Sequence, residues 1–454
     1  MKNKEIPAAL AVLALFSFGC AVGPDFKTPE AGAPGAFLAG GAPEAPVATN
    51  WFAGFNDALL DALLETARTN NLGVKQAMQR VRASRAALAG SKAEFWPQAG
   101  FSAGASKSKS FDPDETSERA SLGFDASWEL DLFGKIRRGV EASKAELAAT
   151  EISLEDALLS LDAEVAAEYV NLRLLQRQYQ IATNNLALQK DFYAIAKSKF
   201  DAGLTSERDC LSSEAQLHST EASLPEAQAA IAACMRRIET LLALNPGALD
   251  AVLSATAPVP NAPEVALTVP SSLLRRRPDI RKSEKSYAAA LARIGVAKAS
   301  YYPSVSIGAG ASLSSSSFSD WGDAMKTLNF GPSVNWNILS FGRTKARVEQ
   351  ARAAADEAAL AYRETVLRAV HEVETTATNL GKDIARAEPL AKSEAAQRKA
   401  LDLSRQMYEQ DLGEYQEVIS AQQAYLSASR TLAESAANIS LSKISLYKAL
   451  GGGY

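Results

Sequence analysis

Four stretches of this chain alternate apolar and polar residues with a period of two. Leu122, Phe124, Ala126, Trp128 and Leu130 interleave with Ser121, Gly123, Asp125, Ser127 and Glu129. Leu328, Phe330, Pro332, Val334, Trp336 and Ile338 interleave with Asn329, Gly331, Ser333, Asn335 and Asn337. Val305, Ile307, Ala309, Ala311 and Leu313 interleave with serines and glycines, and the stretch from Phe101 follows the rule more weakly. The pattern predicts paired strands over about 98–130 and 304–339, each with one apolar face. Each segment covers about ten residues, the length a tilted membrane strand needs. A half-buried sheet of a soluble domain would alternate in the same way. Here, however, the polar face is almost purely Ser, Gly and Asn, and the loops KSKSFDPDETSER and SSSSFSDWGDAMK are polar, as a wet lumen and open loops require.

Between and after these stretches the pattern turns helical. From Lys135 to Phe200 there is no proline, and Gly139 is the only glycine. A helix of that length would reach about 100 Å. Arg343 to Tyr408 is its counterpart, with Gly381 and Pro389 as places where it could bend. Short polar turns, DAGLTS at Asp201 and EQDLGE at Glu409, lead into return helices over about 204–243 and 413–449. Rods of this length need neighbours along their whole extent, and their many alanines permit close approach.

An internal repeat explains this order. FWPQAGFSAGAS at Phe95 recurs as YYPSVSIGAGAS at Tyr301, an offset of 206. WELDLFG at Trp128 recurs as WNILSFG at Trp336, an offset of 208 that also relates Phe200 to Tyr408. The chain is therefore read as a duplicated helix–strand–strand–long helix–helix unit. The first repeat covers 58–244, with strands over 98–130 and a helical hairpin over 134–243. The second covers 271–454, with strands over 304–339 and a hairpin over 342–449. Residues 245–270, rich in Pro and Ala, link the two.

Four strands cannot close a membrane barrel, since the smallest has eight. Open strand edges are not tolerated in lipid. The sequence thus requires an oligomer with a shared barrel.

Composition adds exclusions. A net charge of −4 gives no support to nucleic-acid binding, and two histidines with three cysteines leave little for a transition-metal site. No nucleophile elbow, phosphate loop or metal-ligand spacing occurs, so no catalytic residues, cofactor or metal are assigned and no enzyme is expected. Cys210 and Cys234 lie on one predicted helix, about 36 Å apart, and read as small core residues. At the start, Lys2 and Lys4 precede an apolar run from Ile6 to Phe18 that is too short to span a bilayer. Gly19 and Cys20 follow, so residues 1–19 read as a signal peptide, Cys20 as an acylated first residue, and 20–57 as a lipid-anchored N-terminal segment.

Four motifs in order resemble the outer-membrane efflux protein family (TolC-like), in its lipoprotein branch serving resistance-nodulation-division pumps (NodT/OprM-like). They are CAVGPDFKTP at Cys20, LLRRRPDIRKSE at Leu273, the paired W-x-x-D-L-F-G and W-x-x-x-S-F-G blocks, and ALGGGY at Ala449. The resemblance implies an α+β membrane protein: a homotrimer whose twelve-stranded outer-membrane β-barrel is continuous with a periplasmic α-helical barrel. Its partners would be a periplasmic adaptor (membrane fusion) protein, an inner-membrane resistance-nodulation-division pump and outer-membrane lipid. It would be the passive exit channel of a tripartite efflux system for small molecules such as drugs. An outlet for type I protein secretion and a coiled-coil stalk of the envelope are the competing readings.

Leu122, Phe124, Trp128, Phe330, Val334 and Trp336 are expected on the lipid face, and residues 245–270 in a periplasmic belt. Gly203 and Gly413 are expected at the helix-turn tips, where the family has its periplasmic mouth. Asp209, Asp411, Glu414 and Glu417 are the candidates for acidic residues lining that aperture. Glu417 takes the first acidic place of the family's D-V-L-D-A pattern, and Ser420 replaces the second. Solvated hairpin tips remain the simpler reading. For Arg275-Arg276-Arg277-Pro278-Asp279, Pro278 suits a first helical turn and Asp279 its positive end, so capping and belt packing are preferred to partner contact.

Overall fold

The computed structural model describes residues 21–29, 38, 51–112, 114–265, 276–410 and 412–452. Cys20, Asp411, Arg275 and residues 266–270 of the linker lie outside these. After a 3-10 turn at Trp51–Phe55, the order is α1 (Ala58–Asn70), α2 (Leu72–Ala93), β1 (Gln98–Phe111) and β2 (Asp114–Leu130). Next come α3 (Lys135–Asp201), α4 (Glu207–Leu241), a single turn α5 (Asp250–Leu253) and α6 (Pro278–Ala299). β3 (Ser304–Ser315), β4 (Met325–Asn335), α7 (Arg343–Glu409) and α8 (Tyr415–Ala449) complete the chain. The two long helices are continuous for 67 residues each, α7 through Pro389. Among the described residues no helix is long and apolar enough to cross a membrane.

The repeats are units of sequence, not of packing. The described residues within Met1–Ala31, Gln79–Ile152 and Arg281–Thr365 form one compact unit; those within Gly32–Met78, Ser153–Ile280 and Val366–Tyr454 form the other. In the first, Ala290 and Ile294 of α6 are buried with Ala355 of α7. The same unit holds the strand of chain that follows Cys20. Val22 N–H donates to the Phe133 carbonyl at 3.1 Å, and Arg138 reaches the Asp25 carboxylate at 2.7 Å. Gly23 has φ +114 and lies so close to Gly295 that a Cβ would sit 2.6 Å from the Gly295 Cα, so both the conformation and the space require glycine. The ring of Phe26 meets Tyr287 edge-on at 5.9 Å. The VGPDF motif is thus a docking sequence, which its composition alone did not reveal.

The second unit has an aromatic and aliphatic core. Trp51 stacks on Tyr447 at 4.6 Å and meets Phe52 and Phe55 edge-on. Tyr169 donates to Asp57 at 2.6 Å; burial first, and then that hydrogen bond, push its phenol up to about 12. The linker is fastened to helices by its backbone. Gln176 donates to the Leu253 carbonyl, Ser440 to that of Pro260, and Lys443 to that of Ala262. Cys234 is fully buried, and burial followed by the Glu168 charge raises its thiol to about 12, which makes it inert. Cys210 is only half-buried, so the expectation of a core residue holds for Cys234 and not for Cys210.

Candidate membrane-crossing sheet and helical tips

The four strands form one antiparallel sheet in the order β1-β2-β3-β4, and its register fixes what each face carries. Ala99, Ala126, Ala309 and Phe330 share one row, and Phe101, Phe124, Ala311 and Leu328 share another. Leu130, Val305 and Val334 form a third. Side chains alternate across a strand, so all of these lie on one face. That face is solvent-exposed in the single chain: Phe330 is 80 % exposed, Leu328 86 % and Phe124 54 %. A contiguous apolar surface of this kind marks an interaction site, with protein or with lipid. Along β2 it runs from Leu130 to Leu122, eight rises or about 27 Å of strand. At a tilt of about 40° that gives about 21 Å, close to the about 25 Å apolar band of outer-membrane barrels. Charges end it at one side, where Lys107 pairs with Glu118 at 2.9 Å and Lys326 stands opposite Leu313.

The opposite face holds Ser102, Gly123, Ser312 and Thr327 in one row and Gln98, Ser127, Gly308 and Gly331 in another. Ser306 and Ser333 share a hydrogen bond across strands at 2.8 Å. The edges β1 and β4 have no partner strand among the described residues.

Leu122, Phe124, Phe330 and Val334 therefore lie on the apolar face, as does Trp128 at the end of β2. Trp336 does not belong to a strand. β3 begins at Ser304, after Pro303, so the β4 ladder ends at Asn335 opposite Ser304, and nothing remains for Trp336 or Ile338 to pair with. Instead the Trp336 indole N–H donates to the Tyr301 carbonyl at 3.0 Å. Trp128 does the same to the Phe95 carbonyl at 2.9 Å. The two tryptophans are repeat counterparts, and each ties its strand pair to the first aromatic residue of FWP or YYP, two positions before the proline. That pairing was visible in the repeat as two matched aromatics, but not as a hydrogen bond.

At the helical tips the two repeats differ. α3 ends with Gly203 in the left-handed region at φ +70, and Leu204 N–H donates back to the Lys199 carbonyl at 2.8 Å. At the second tip Leu412 N–H donates to the Met407 carbonyl at 2.8 Å, the same closure. The offset of 208 makes Asp411, not Gly413, the counterpart of Gly203. Gly413 lies in the turn but has no positive φ and does not end the helix as Gly203 does: it lies one residue before Glu414, the residue that leads α8.

Asp209 is engaged in a cap. Its carboxylate accepts from Thr205 at 3.0 Å and Ser206 at 2.8 Å, and its N–H donates to Ser206 Oγ at 3.2 Å, a reciprocal capping arrangement. The signal, Ser206 followed three residues later by Asp209, was present in the sequence. Glu414 and Glu417 are exposed, and the Glu414 side chain caps nothing. Behind them Phe192, Leu401, Tyr408, Tyr415 and Val418 form a small core. Burial raises the Tyr415 phenol, and Lys199 Nζ lies 4.2 Å over the Tyr408 ring. Among the described residues no His, Cys, Asp and Glu side chains gather as a metal site.

A sheet apolar on one face and polar on the other, duplicated with 67-residue helices, defines an outer-membrane channel protein. The chain belongs to the outer membrane efflux protein family, which matches residues 63–244 and 269–452, one match to each repeat. It is 30 % identical over 451 residues to Nodulation protein T of Rhizobium leguminosarum bv. viciae, covering 98 % of this chain and 93 % of that one. It is 27 % identical over 456 residues to the cation efflux system protein CusC of an Escherichia coli O6:H1 strain, covering 97 % of each. The solved outer-membrane channel OprN superposes with a TM-score of 0.85 at 33 % identity, covering 96 % of this chain and 99 % of that one.

Proposed function

We propose that three copies join their sheets edge to edge, β4 of one to β1 of the next, into a twelve-stranded outer-membrane barrel. The helices then form a periplasmic tunnel below it, which receives small molecules from an adaptor protein and an inner-membrane pump. The observation that carries this reading is the sheet itself: two bare edges, one apolar face and one polar face made mostly of Ser, Gly and Asn. Bare edges are tolerated in lipid only by closure. The efflux role in the family's name favours small molecules over the proteins a type I secretion outlet would carry. Purified protein in detergent should be a trimer and should conduct ions across a planar bilayer. A folded monomer without conductance would leave the envelope-stalk reading in its place.

Cys20 would carry the lipid. The residue after it, Ala21, packs against Gly134, where β2 gives way to α3, and this contact supports an anchor near the end of that strand. Labelled palmitate is expected in the wild type and absent from Cys20→Ala. Equal labelling of both would remove the lipid anchor from the reading.

At the tips, threefold symmetry repeats each carboxylate three times, and rings of carboxylates favour cations. Glu417 is exposed, makes no ion pair among the described residues, and leads this effect. Glu417→Gln should shift the reversal potential toward anions in a salt gradient. Asp209→Asn should instead mainly loosen the first turn of α4, where a lost cap costs about 1 kcal/mol. An Asp209 effect on selectivity equal to that of Glu417 would show that the capped carboxylate also faces the aperture.

A further inference from the structure

Followed row by row, the polar face of the sheet carries a single unpaired charge along the length of the apolar band. Arg119 and Glu129 bound the relevant part of β2, and Glu129 is neutralised by Lys135 at 3.0 Å. In the four rows between them every polar-face position on β1, β3 and β4 is uncharged. Only Asp125 remains, in the row Gly100–Asp125–Gly310–Asn329. It is exposed, and its carboxylate makes no ion pair or hydrogen bond among the described residues.

Its neighbours are shaped for it. The carboxylate lies across Gly100, where a Cβ would stand 3.4 Å from Oδ2 and 3.5 Å from Oδ1. The amide of Asn329 lies across Gly310 so closely that any Cβ there would collide with it. Both side chains therefore rest along the wall, over glycines in the same row, and leave the space in front of them open. With no counter-ion among the described residues of the chain, the charge of Asp125 acts on the solutes and ions in front of it.

We propose that Asp125 is a charge-selecting residue of the membrane-crossing segment, favouring cationic and cation-bearing amphipathic solutes over anions. The inference rests on the trimeric-barrel reading, in which threefold symmetry sets three copies of the carboxylate at one height. The repeat counterpart of Asp125 is Ser333, at an offset of 208, so the second repeat adds no charge and the count is three, not six. Arg119 stands six residues along β2, about 20 Å away, beyond the Debye length of about 8 Å at physiological salt. It forms a separate and opposite zone nearer the strand end, and does not cancel Asp125 locally.

The test is the cation-to-anion permeability ratio of the purified trimer in planar bilayers under a KCl gradient. Asp125→Asn should lower the ratio by about twofold, and Ser333→Asp, which adds three carboxylates to the same face, should raise it by a similar factor. Both effects should grow as salt falls from about 1 M to about 0.1 M, because the Debye length rises from about 3 Å to about 10 Å, still short of the distance to Arg119. They should persist on a Glu417→Gln background, where an exposed candidate charge of the tip is removed. An Asp125→Asn trimer that conducts normally with an unchanged ratio at low salt overturns the assignment and leaves the barrel intact. A wild-type trimer that conducts nothing overturns the barrel, and the assignment with it.

Discussion

Phe330→Arg is expected to destabilise the membrane-inserted protein by about 2–4 kcal/mol, the cost of a guanidinium near the midplane of a barrel's lipid face. Phe330 sits mid-strand on β4, opposite Ala309 and four residues from Val334 on the same face. It is 80 % exposed in the single chain, so neither a core contact nor a hydrogen bond within the chain accounts for its aromatic ring. The adjacent Gly331 is the matched control, at nearly the same depth but on the other face. A Cβ there would meet nothing within 4 Å, so Gly331→Arg brings a charge without a clash. In a wet lumen that charge stays hydrated and should change stability by less than about 1 kcal/mol. Denaturant titration of protein folded into vesicles would compare the two. Equal losses for both variants would mean that the faces are not lipid and lumen, and the sheet would have to be a soluble one.

The features legible in the sequence were those decided by local rules. The long helix of the first repeat was expected over Lys135 to Phe200 and runs Lys135–Asp201, because nothing inside it breaks a helix and Gly203 ends it. The faces of the strands followed from period-two alternation, which a register of antiparallel pairs preserves. What was not legible depended on partners distant in sequence. Trp336 continues the alternation perfectly, yet β3 supplies no residue beyond Ser304 for it to pair with, and its indole turns to Tyr301. Gly23 reads as one residue of a motif, and only its contact with Gly295, on α6, shows why no side chain fits. Asp209 is a different case: its local capping pattern, Ser206 followed three residues later by Asp209, is legible in the sequence, and the structure forms that cap.

The arginine motif gives the second large effect. Pro278 does open α6 and Asp279 lies in its first turn, but the centre of the arrangement is Arg277. Its guanidinium forms a fork with Asp279 through contacts at 3.0 and 2.7 Å, donates to Glu372 at 2.7 Å, and donates to the Ala449 carbonyl at 2.6 Å. One side chain thereby joins the start of α6, the long α7 and the last residue of α8. Burial works against its charge, but the hydrogen bonds and charges of Asp279 and Glu372 outweigh it and hold its pKa above the usual arginine value.

Removing one partner of a fully buried pair costs about 3–5 kcal/mol. Asp279 and Glu372 are 37 % and 45 % exposed, so water takes up part of their charge when the arginine goes. Arg277→Met should therefore cost about 2 kcal/mol, most of it from the stranded acids and the uncapped carbonyl. Arg277→Lys keeps the charge but loses the fork, and should fall between Met and wild type. Arg352, half exposed and paired with Glu349 one turn away at 2.9 Å, is the contrast: Arg352→Ala should cost under about 0.5 kcal/mol. The same vesicle titration can rank all three. If Arg277→Met is no worse than Arg352→Ala, yet the variant loses efflux in cells, the motif serves a partner and not the fold. The preference for packing rests on the 8 % exposure of Arg277, too little surface for a partner to grip.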